Sequence, residues 1–144
     1  MTRYKSQMED RFNINPDDPM PIYAQLERAI RFAIATDKLR IGEQLPTVRQ
    51  LAVDLKINAN TVAKVYAELE RTGIVETRRG VGTFVSARQP AAAMRLMRGD
   101  HERELRAFAE RILAEAYKLG FSLDEVVEQL EKELKEESAA AKRR

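Results

Sequence analysis

The sequence has 144 residues, with 25 Lys and Arg, 23 Asp and Glu, one His, no Cys and no Trp. The absence of Cys excludes disulfides, thiolate catalysis and Cys-ligated metal centres, and the single His101 excludes a metal site with paired His ligands. The length suits one domain of ordinary size, or a small domain with an appendage. Since no Ser–His–Asp set or pocketed acid pair is visible either, we expect no enzyme, no cofactor and no metal site.

The charges are unevenly distributed along the chain. Residues 38–88 carry nine basic and five acidic side chains, whereas residues 122–137 carry seven acidic and two basic ones. The first segment could therefore face an anionic polymer that would repel the second. No stretch reaches the roughly 18 apolar residues of a membrane span, and the polar N-terminus lacks the apolar core of a secretory signal. We expect a cytoplasmic protein with no membrane partner.

The first predicted element is a helix that begins near residue 22. A loose tail and a Pro/Asp-rich lead-in occupy residues 1–19, and Pro21 fits the first turn of a helix. Apolar residues then recur at helical spacing as far as Ile34. Residues 39–45 follow as a short strand or an extended turn.

Two further helices and a hairpin complete the first half. Thr47 is predicted to be the N-cap of the second helix, and the third helix spans about residues 59–72 after a tight turn. Two β-type runs, 74–77 and 83–86, flank a basic tip at residues 78–82 that contains glycine, which is a hairpin signal. Two helices around a short turn, followed by a hairpin, describe a winged helix-turn-helix.

Two long helices are predicted for the C-terminal part, at about residues 91–119 and after the capping box that begins at Ser122. The fold class is therefore α+β and mostly helical. A winged helix-turn-helix domain spans residues 20–88, and a two-helix dimerisation region spans residues 89–137. Residues 138–144 are expected to be a disordered tail.

The start of the third helix carries the strongest functional signal. In a helix-turn-helix the second helix of the pair enters the major groove and presents its N-terminal residues to the bases. Those residues here are Asn58, Asn60, Thr61 and Lys64, and such side chains bond adenine, guanine or phosphate. Asn58 and Thr61 would also suit simple helix capping. Capping alone does not require two Asn, a Thr and a Lys on one exposed end, so we predict direct contact with double-stranded DNA.

Further contacts are predicted at the start of the second helix and at the hairpin tip. Arginines can enter a narrow minor groove, and glycines let the backbone approach the sugar-phosphate closely. The alternatives are a solvated surface Arg in the helix and a structural turn in the hairpin. The candidate DNA-binding residues in these two segments are Thr47, Arg49, Arg78, Arg79, Gly80, Gly82 and Thr83.

The two C-terminal helices have apolar stripes that a lone pair of helices would leave half exposed. Exposed stripes of that size mark an interface, and a two-fold dimer is the commonest assembly. The alternative is that both stripes pack back on the winged domain of the same chain. The predicted dimer interface consists of Leu105, Phe108, Ile112, Leu119, Leu123, Val126, Val127 and Leu130.

The stretches LPTVRQLA at residues 45–52 and GVGTFV at residues 80–85 resemble the GntR family of bacterial transcription regulators. Many members carry Ser-Arg-x-Thr at the start of the recognition helix, whereas residues 58–61 here read Asn-Ala-Asn-Thr. This variant, together with the PIYAQL opening at residues 21–26, is similar to the YtrA-like subgroup. Ala59 stands where the family usually has a base-reading Arg, so the usual operator contacts are not carried over.

The resemblance implies a homodimeric repressor that binds an inverted-repeat operator, commonly of a transporter operon, in the bacterial cytoplasm at the nucleoid. It also implies a short two-helix C-terminal part in place of a large effector-binding domain, and it leaves a small-molecule effector unknown. The competing hypothesis is a winged-helix module that binds proteins and lacks sequence-specific DNA binding. Apolar or acidic residues at the exposed end of the third helix would favour that hypothesis.

Overall fold

The computed structural model of the chain describes residues 12–89 and 91–143. The predicted tail at residues 1–11 lies outside this part. Two compact units are present, of which the first ends at His101 and the second begins at Glu102. The elements are α1 (Ile22–Ala35), α2 (Val48–Leu55), α3 (Ala59–Arg71), β1 (Val75–Arg78), β2 (Gly82–Val85), α4 (Ala91–Lys118) and α5 (Leu123–Arg143).

The described elements confirm a mostly helical α+β chain with an N-terminal winged helix-turn-helix. Helices α1, α2 and α3 bury one apolar face each, because their apolar residues recur every three to four positions. None of the described helices has the length and apolarity needed to cross a membrane. The most deeply buried side chains are Phe12, Leu26, Ile30, Ile34, Leu39, Leu51, Val62, Val65, Leu69, Ile74, Val75 and Val85.

The wing is an antiparallel hairpin in which β1 pairs with β2 from Val75↔Val85 to Arg78↔Gly82. Each strand starts within one residue of its predicted position. The run before α2 pairs with the other edge of β2, since the Leu45 N–H donates to the carbonyl of Thr83 at 2.8 Å and the Val85 N–H donates to the carbonyl of Glu43 at 2.8 Å. The short extended segment predicted for residues 39–45 thus lies alongside β2, on the side that β1 leaves unpaired.

The lead-in to α1 is held by a single buried side chain. The Gln25 amide is 4% exposed, and it donates to the carbonyls of Asn15 at 2.9 Å and Met20 at 2.7 Å. Its Oε1 accepts the Asn15 N–H at 2.9 Å. A buried amide with three satisfied hydrogen bonds fixes a loop that would otherwise be mobile. Sequence patterns gave no sign of this role.

The first turns of α4 belong to the first compact unit, which extends beyond the boundary predicted at residue 88. Met97 is 3% exposed and Met94 packs against the same core. The His101 ring meets the ring of Phe32 edge-on, with centroids 5.1 Å apart. The long helix therefore starts inside the winged unit because its first apolar residues complete that unit's core.

The second unit contains the rest of α4 and α5. The predicted capping box is present: the Ser122 N–H donates to Glu125 Oε2 at 2.8 Å and the Glu125 N–H donates to Ser122 Oγ at 3.2 Å. The backbone hydrogen bond from Ser122 holds the pKa of the Glu125 carboxyl below its usual value. Helix α5 continues through residues 138–143, where a disordered tail was expected. Three consecutive alanines and a basic last turn favour helix there.

Candidate nucleic-acid interface

The N-terminal end of α3 projects polar side chains while the opposite face of the helix is buried. Asn60 and Lys64 are exposed and Thr61 is half-buried. Asn58 is the N-cap, with its Oδ1 accepting the Asn60 N–H at 2.8 Å. The capping alternative is therefore realised at Asn58. The Asn58 oxygen thus already accepts one hydrogen bond, whereas the side-chain amide of Asn60 keeps its full donor and acceptor capacity for a partner.

The start of α2 is fixed by a capping box. The Gln50 N–H donates to Thr47 Oγ1 at 3.1 Å and the Thr47 N–H donates to Gln50 Oε1 at 3.1 Å. Thr47 is thus the N-cap that was predicted, and its hydroxyl hydrogen is still available to an acceptor. The exposed Arg49 lies in the first turn and has no ion pair within residues 12–89 and 91–143.

A buried hydrogen bond connects the two helices of the helix-turn-helix. The hydroxyl of Tyr66, on the buried face of α3, donates to the carbonyl of Pro46 at 2.8 Å. Pro46 directly precedes the N-cap of α2. The contact therefore ties the middle of α3 to the residue before α2, and so holds the two helices in a fixed relation.

The two arginines of the wing tip have different surroundings. The Arg78 guanidinium pairs with Glu76 at 3.0 Å and stacks over the ring of Phe84, 4.5 Å from its centroid. Arg79 is exposed and forms no ion pair with any residue that the structure describes. Although sequence reasoning treated the pair as equivalent, Arg78 braces the wing and Arg79 is the available cation.

Gln44 supports the wing tip from the neighbouring extended segment. Its Nε2 donates to the carbonyl of Val81 at 3.2 Å. A Cβ on Gly82 would lie 2.5 Å from that same nitrogen, and the backbone of Gly82 has a φ of +144°. A Cβ at residue 82 would thus push the Gln44 amide, the far end of an exposed side chain, away from the Val81 carbonyl. Sequence reasoning named Gly82 as a contact and missed Gln44, because a partner 37 residues away leaves no local pattern.

The remaining wing candidates, Gly80 and Thr83, differ in exposure. Gly80 is exposed at the turn with a φ of +76°, in a turn closed by the Val81 N–H donating to the carbonyl of Arg78 at 3.0 Å. Thr83 is half-buried, and its carbonyl accepts the Leu45 N–H. Every candidate DNA-binding residue lies in the first compact unit. Gln44, three residues before Thr47, links the wing tip to the start of α2.

The residues predicted for the dimer interface all lie in the second compact unit. Exposed fractions are 57% for Leu105, 62% for Leu119 and 50% for Leu130. Ile112 and Val126 are half-buried. Exposed aromatic or aliphatic residues missing from the predicted interface are Tyr117, Phe121 and Leu134. Within the described part of the chain, no group of His, Asp and Glu side chains could hold a metal ion.

Comparison with known proteins places the winged unit in a family. Residues 22–85 match the family described as bacterial regulatory proteins, gntR family. The chain is 47% identical over 66 residues to the HTH-type transcriptional regulator YhcF of Bacillus subtilis, covering 46% of this chain and 54% of YhcF. It is 44% identical over 73 residues to the HTH-type transcriptional repressor YtrA of the same organism, covering 51% of this chain and 56% of YtrA.

A solved structure extends the similarity beyond the winged unit. The structure of a GntR family transcriptional regulator from Listeria monocytogenes matches with a TM-score of 0.53 and 32% identity, covering 81% of this chain and 97% of that one. By contrast, the chain spans about half the length of the two curated relatives. Similarity to YtrA confirms the predicted resemblance to the YtrA-like subgroup. From the motifs, the matched residues and the solved relative, this chain belongs to the GntR family of bacterial transcriptional regulators.

Proposed function

We propose that this chain is a sequence-specific DNA-binding regulator of transcription, with α3 as its recognition helix. The observation that carries the proposal is the exposed polar end of α3 over a buried apolar face. A helix in this position of a winged helix-turn-helix inserts its N-terminal residues into the major groove. The protein-interaction hypothesis expects apolar or acidic groups at that end. The exposed residues there are polar or basic, Asn58, Asn60 and Lys64, apart from the two small alanines Ala59 and Ala63.

Each polar side chain at this end suits a different part of the DNA. Asn60 would bond an adenine edge bidentately, since its carbonyl and amide groups are both available. Lys64, one turn further along, would reach a guanine edge or a phosphate. Arg49 would clamp a phosphate from the start of α2, where the bond between Tyr66 and Pro46 fixes its distance from α3.

The wing would contact the adjacent minor groove. Arg79 is the cation available for its negative potential, and the unhindered Gly80 lets the backbone approach the sugar-phosphate. Arg78 keeps the hairpin rigid through Glu76 and Phe84. In this proposal Arg79 contacts the DNA, and Arg78 stabilises the hairpin that presents it.

We also propose that the protein acts as a homodimer through its second unit. The apolar residues Leu123, Val127, Leu130 and Leu134 of α5 are each at least 43% exposed, and they are spaced three to four residues apart along one helix face. A second copy presenting the same stripe would remove both from water. Two winged units would then bind an inverted repeat with half-sites one helical turn apart, about 34–36 Å.

Repression is the mode of regulation that the relatives favour. The relative YtrA is named a repressor, and a dimer on an inverted repeat within a promoter would exclude polymerase. Control of a transporter operon remains a proposal that depends on resemblance to the YtrA-like subgroup. Such a regulator would work in the cytoplasm, at the nucleoid.

The decisive experiment is a fluorescence-anisotropy titration of the full chain against fragments of the promoter upstream of its own gene. Specific binding should be at least about 10³-fold tighter than binding to unrelated DNA of equal length. Lys64→Ala should weaken it, while Lys38→Ala, which removes an exposed Lys outside the predicted contact set, should not. Equal affinity for promoter and unrelated DNA at every salt concentration would overturn the proposal and favour a protein-interaction module.

A further inference from the structure

The wing tip presents an apolar side chain between its cationic and glycine residues. Val81 is 62% exposed although it is a β-branched aliphatic residue in a tip rich in polar backbone. It follows Arg79 and Gly80 and precedes Gly82. The two flanking glycines have no side chains that could cover it. The isopropyl group therefore forms part of the surface that the tip offers to a partner.

The backbone of Val81 has no hydrogen-bonding capacity left to offer through its N–H. That N–H donates to the carbonyl of Arg78 at 3.0 Å. The carbonyl of Val81 accepts the amide of Gln44 at 3.2 Å. At this position the wing consequently presents an apolar contact, held in place by two internal hydrogen bonds.

Such a contact distinguishes base pairs by the one group that differs in the minor groove. An A·T pair presents only acceptors there, whereas a G·C pair adds the 2-amino donor of guanine. Against an isopropyl group that donor would lose its water without gaining an acceptor, which is costly. The exposed Arg79 favours the narrow grooves of A·T-rich DNA as well, because their negative potential is stronger.

We propose that Val81 is a specificity-determining residue of the wing, which rejects the guanine 2-amino group and so selects A·T pairs where the tip meets the minor groove. The proposal rests on the proposed function, since it needs a wing that enters DNA. Gln44 is the positioning residue for this contact. It holds the Val81 carbonyl and occupies the space beside Gly82.

The test changes only the minor-groove amino group. Hydroxyl-radical footprinting of the operator complex locates the base pairs under the wing. At those pairs guanine is replaced by inosine, which removes the amino group, or adenine by 2,6-diaminopurine, which adds it; both leave the major-groove pattern unchanged. The wild-type chain should bind about tenfold more tightly to each DNA that lacks the amino group than to its partner that has it.

The matched variant is Val81→Thr, which keeps the shape of the side chain and adds a hydroxyl that can accept from the amino group. Its preference should fall below about twofold. Val53→Thr, the same substitution at a valine that is 65% exposed on α2, should keep the tenfold preference. Because both sites are exposed, neither variant should change the melting temperature.

The outcomes separate this inference from the proposed function. A wild-type chain that binds its operator specifically with no preference at any wing position would overturn the role of Val81 alone. A Val81→Thr variant that keeps the tenfold preference would do the same. Failure of the wild-type chain to bind any promoter fragment specifically would overturn the proposed function, and the role of Val81 with it.

Discussion

The hydroxyl of Tyr66 donates a buried hydrogen bond of 2.8 Å to the carbonyl of Pro46, across 20 residues of sequence. Tyr66 lies on the buried face of α3, and Pro46 lies directly before α2. Proline has no N–H, so its carbonyl is the only backbone group it offers to a partner. This bond ties the middle of α3 to the start of α2. The stability of the fold and the relative placement of the candidate DNA contacts on the two helices therefore depend on the same contact.

Tyr66→Phe is expected to lower the free energy of unfolding by about 1–3 kcal/mol, because it leaves the buried Pro46 carbonyl without a partner. Thermal unfolding followed by circular dichroism measures the loss. Tyr117→Phe is the control, since that side chain is 66% exposed. Equal melting temperatures for Tyr66→Phe and the wild type would show that the bond contributes nothing.

Gly82→Ala is expected to destabilise the wing more than Gly42→Ala does. Both glycines have a positive φ, of 144° and 84°, but only at Gly82 would a Cβ meet another atom, Gln44 Nε2 at 2.5 Å. Gly42→Ala should cost about 1–2 kcal/mol from backbone strain alone. Chemical denaturation of both variants measures the difference.

The double variant Gln44→Ala with Gly82→Ala separates the clash from the strain. In the Gln44→Ala background an alanine at residue 82 has no amide to displace from the Val81 carbonyl, while the positive φ stays. We therefore expect Gly82→Ala to cost less in that background than in the wild type. The coupling energy in this double-mutant cycle should be non-zero and stabilising. Additive effects of the two substitutions would mean that the glutamine and the glycine do not interact.

Sequence patterns predicted the helices and their caps, because those features are local. Helical periodicity identified α1 and α3, and the side chains that close the capping boxes lie three residues apart at Thr47–Gln50 and Ser122–Glu125. The packing of Met97 in the core of the winged unit was not predicted. An apolar residue at the start of a long helix is equally compatible with a solvent-exposed linker between two units.

The arginine pair of the wing shows why the site was only partly predictable. The register places Phe84 opposite Glu76, and Arg78, two residues along the same strand, shares a face with both. Its ion pair and ring contact depend on that register, which the sequence leaves open by one residue. A slip of one residue in the pairing would have placed Arg78 on the opposite face of the hairpin from Phe84.

Asn60→Ala is expected to weaken operator binding by about 1–3 kcal/mol, the loss of a bidentate base contact. Asn58→Ser should have little effect on affinity, because a serine keeps the cap and the Asn58 oxygen is already engaged with the Asn60 N–H. Anisotropy titrations with the operator, combined with melting temperatures, distinguish the two. A larger affinity loss in Asn58→Ser than in Asn60→Ala would reverse the assignment.

Arg79→Ala and Arg78→Ala are expected to differ in their salt dependence. Loss of Arg79 should reduce the slope of log K against log salt by about one, because one fewer cation would meet the DNA. Loss of Arg78 should leave that slope within error and instead lower the stability of the hairpin, by less than about 1 kcal/mol at this exposed site. Equal slopes for the two variants would argue against separate roles.

Leu130→Glu is expected to convert the dimer to a monomer, because it introduces a charge into the apolar stripe of α5, where Leu130 is 50% exposed. Sedimentation velocity at micromolar concentration measures the change. Affinity for an operator with two half-sites should fall about a hundredfold or more, while affinity for a single half-site stays. Gln129→Glu, which adds the same charge at the neighbouring position, is the control. If the stripe instead packed on the winged unit of its own chain, Leu130→Glu would lower the melting temperature. The variant would then have the same sedimentation coefficient as the wild-type protein.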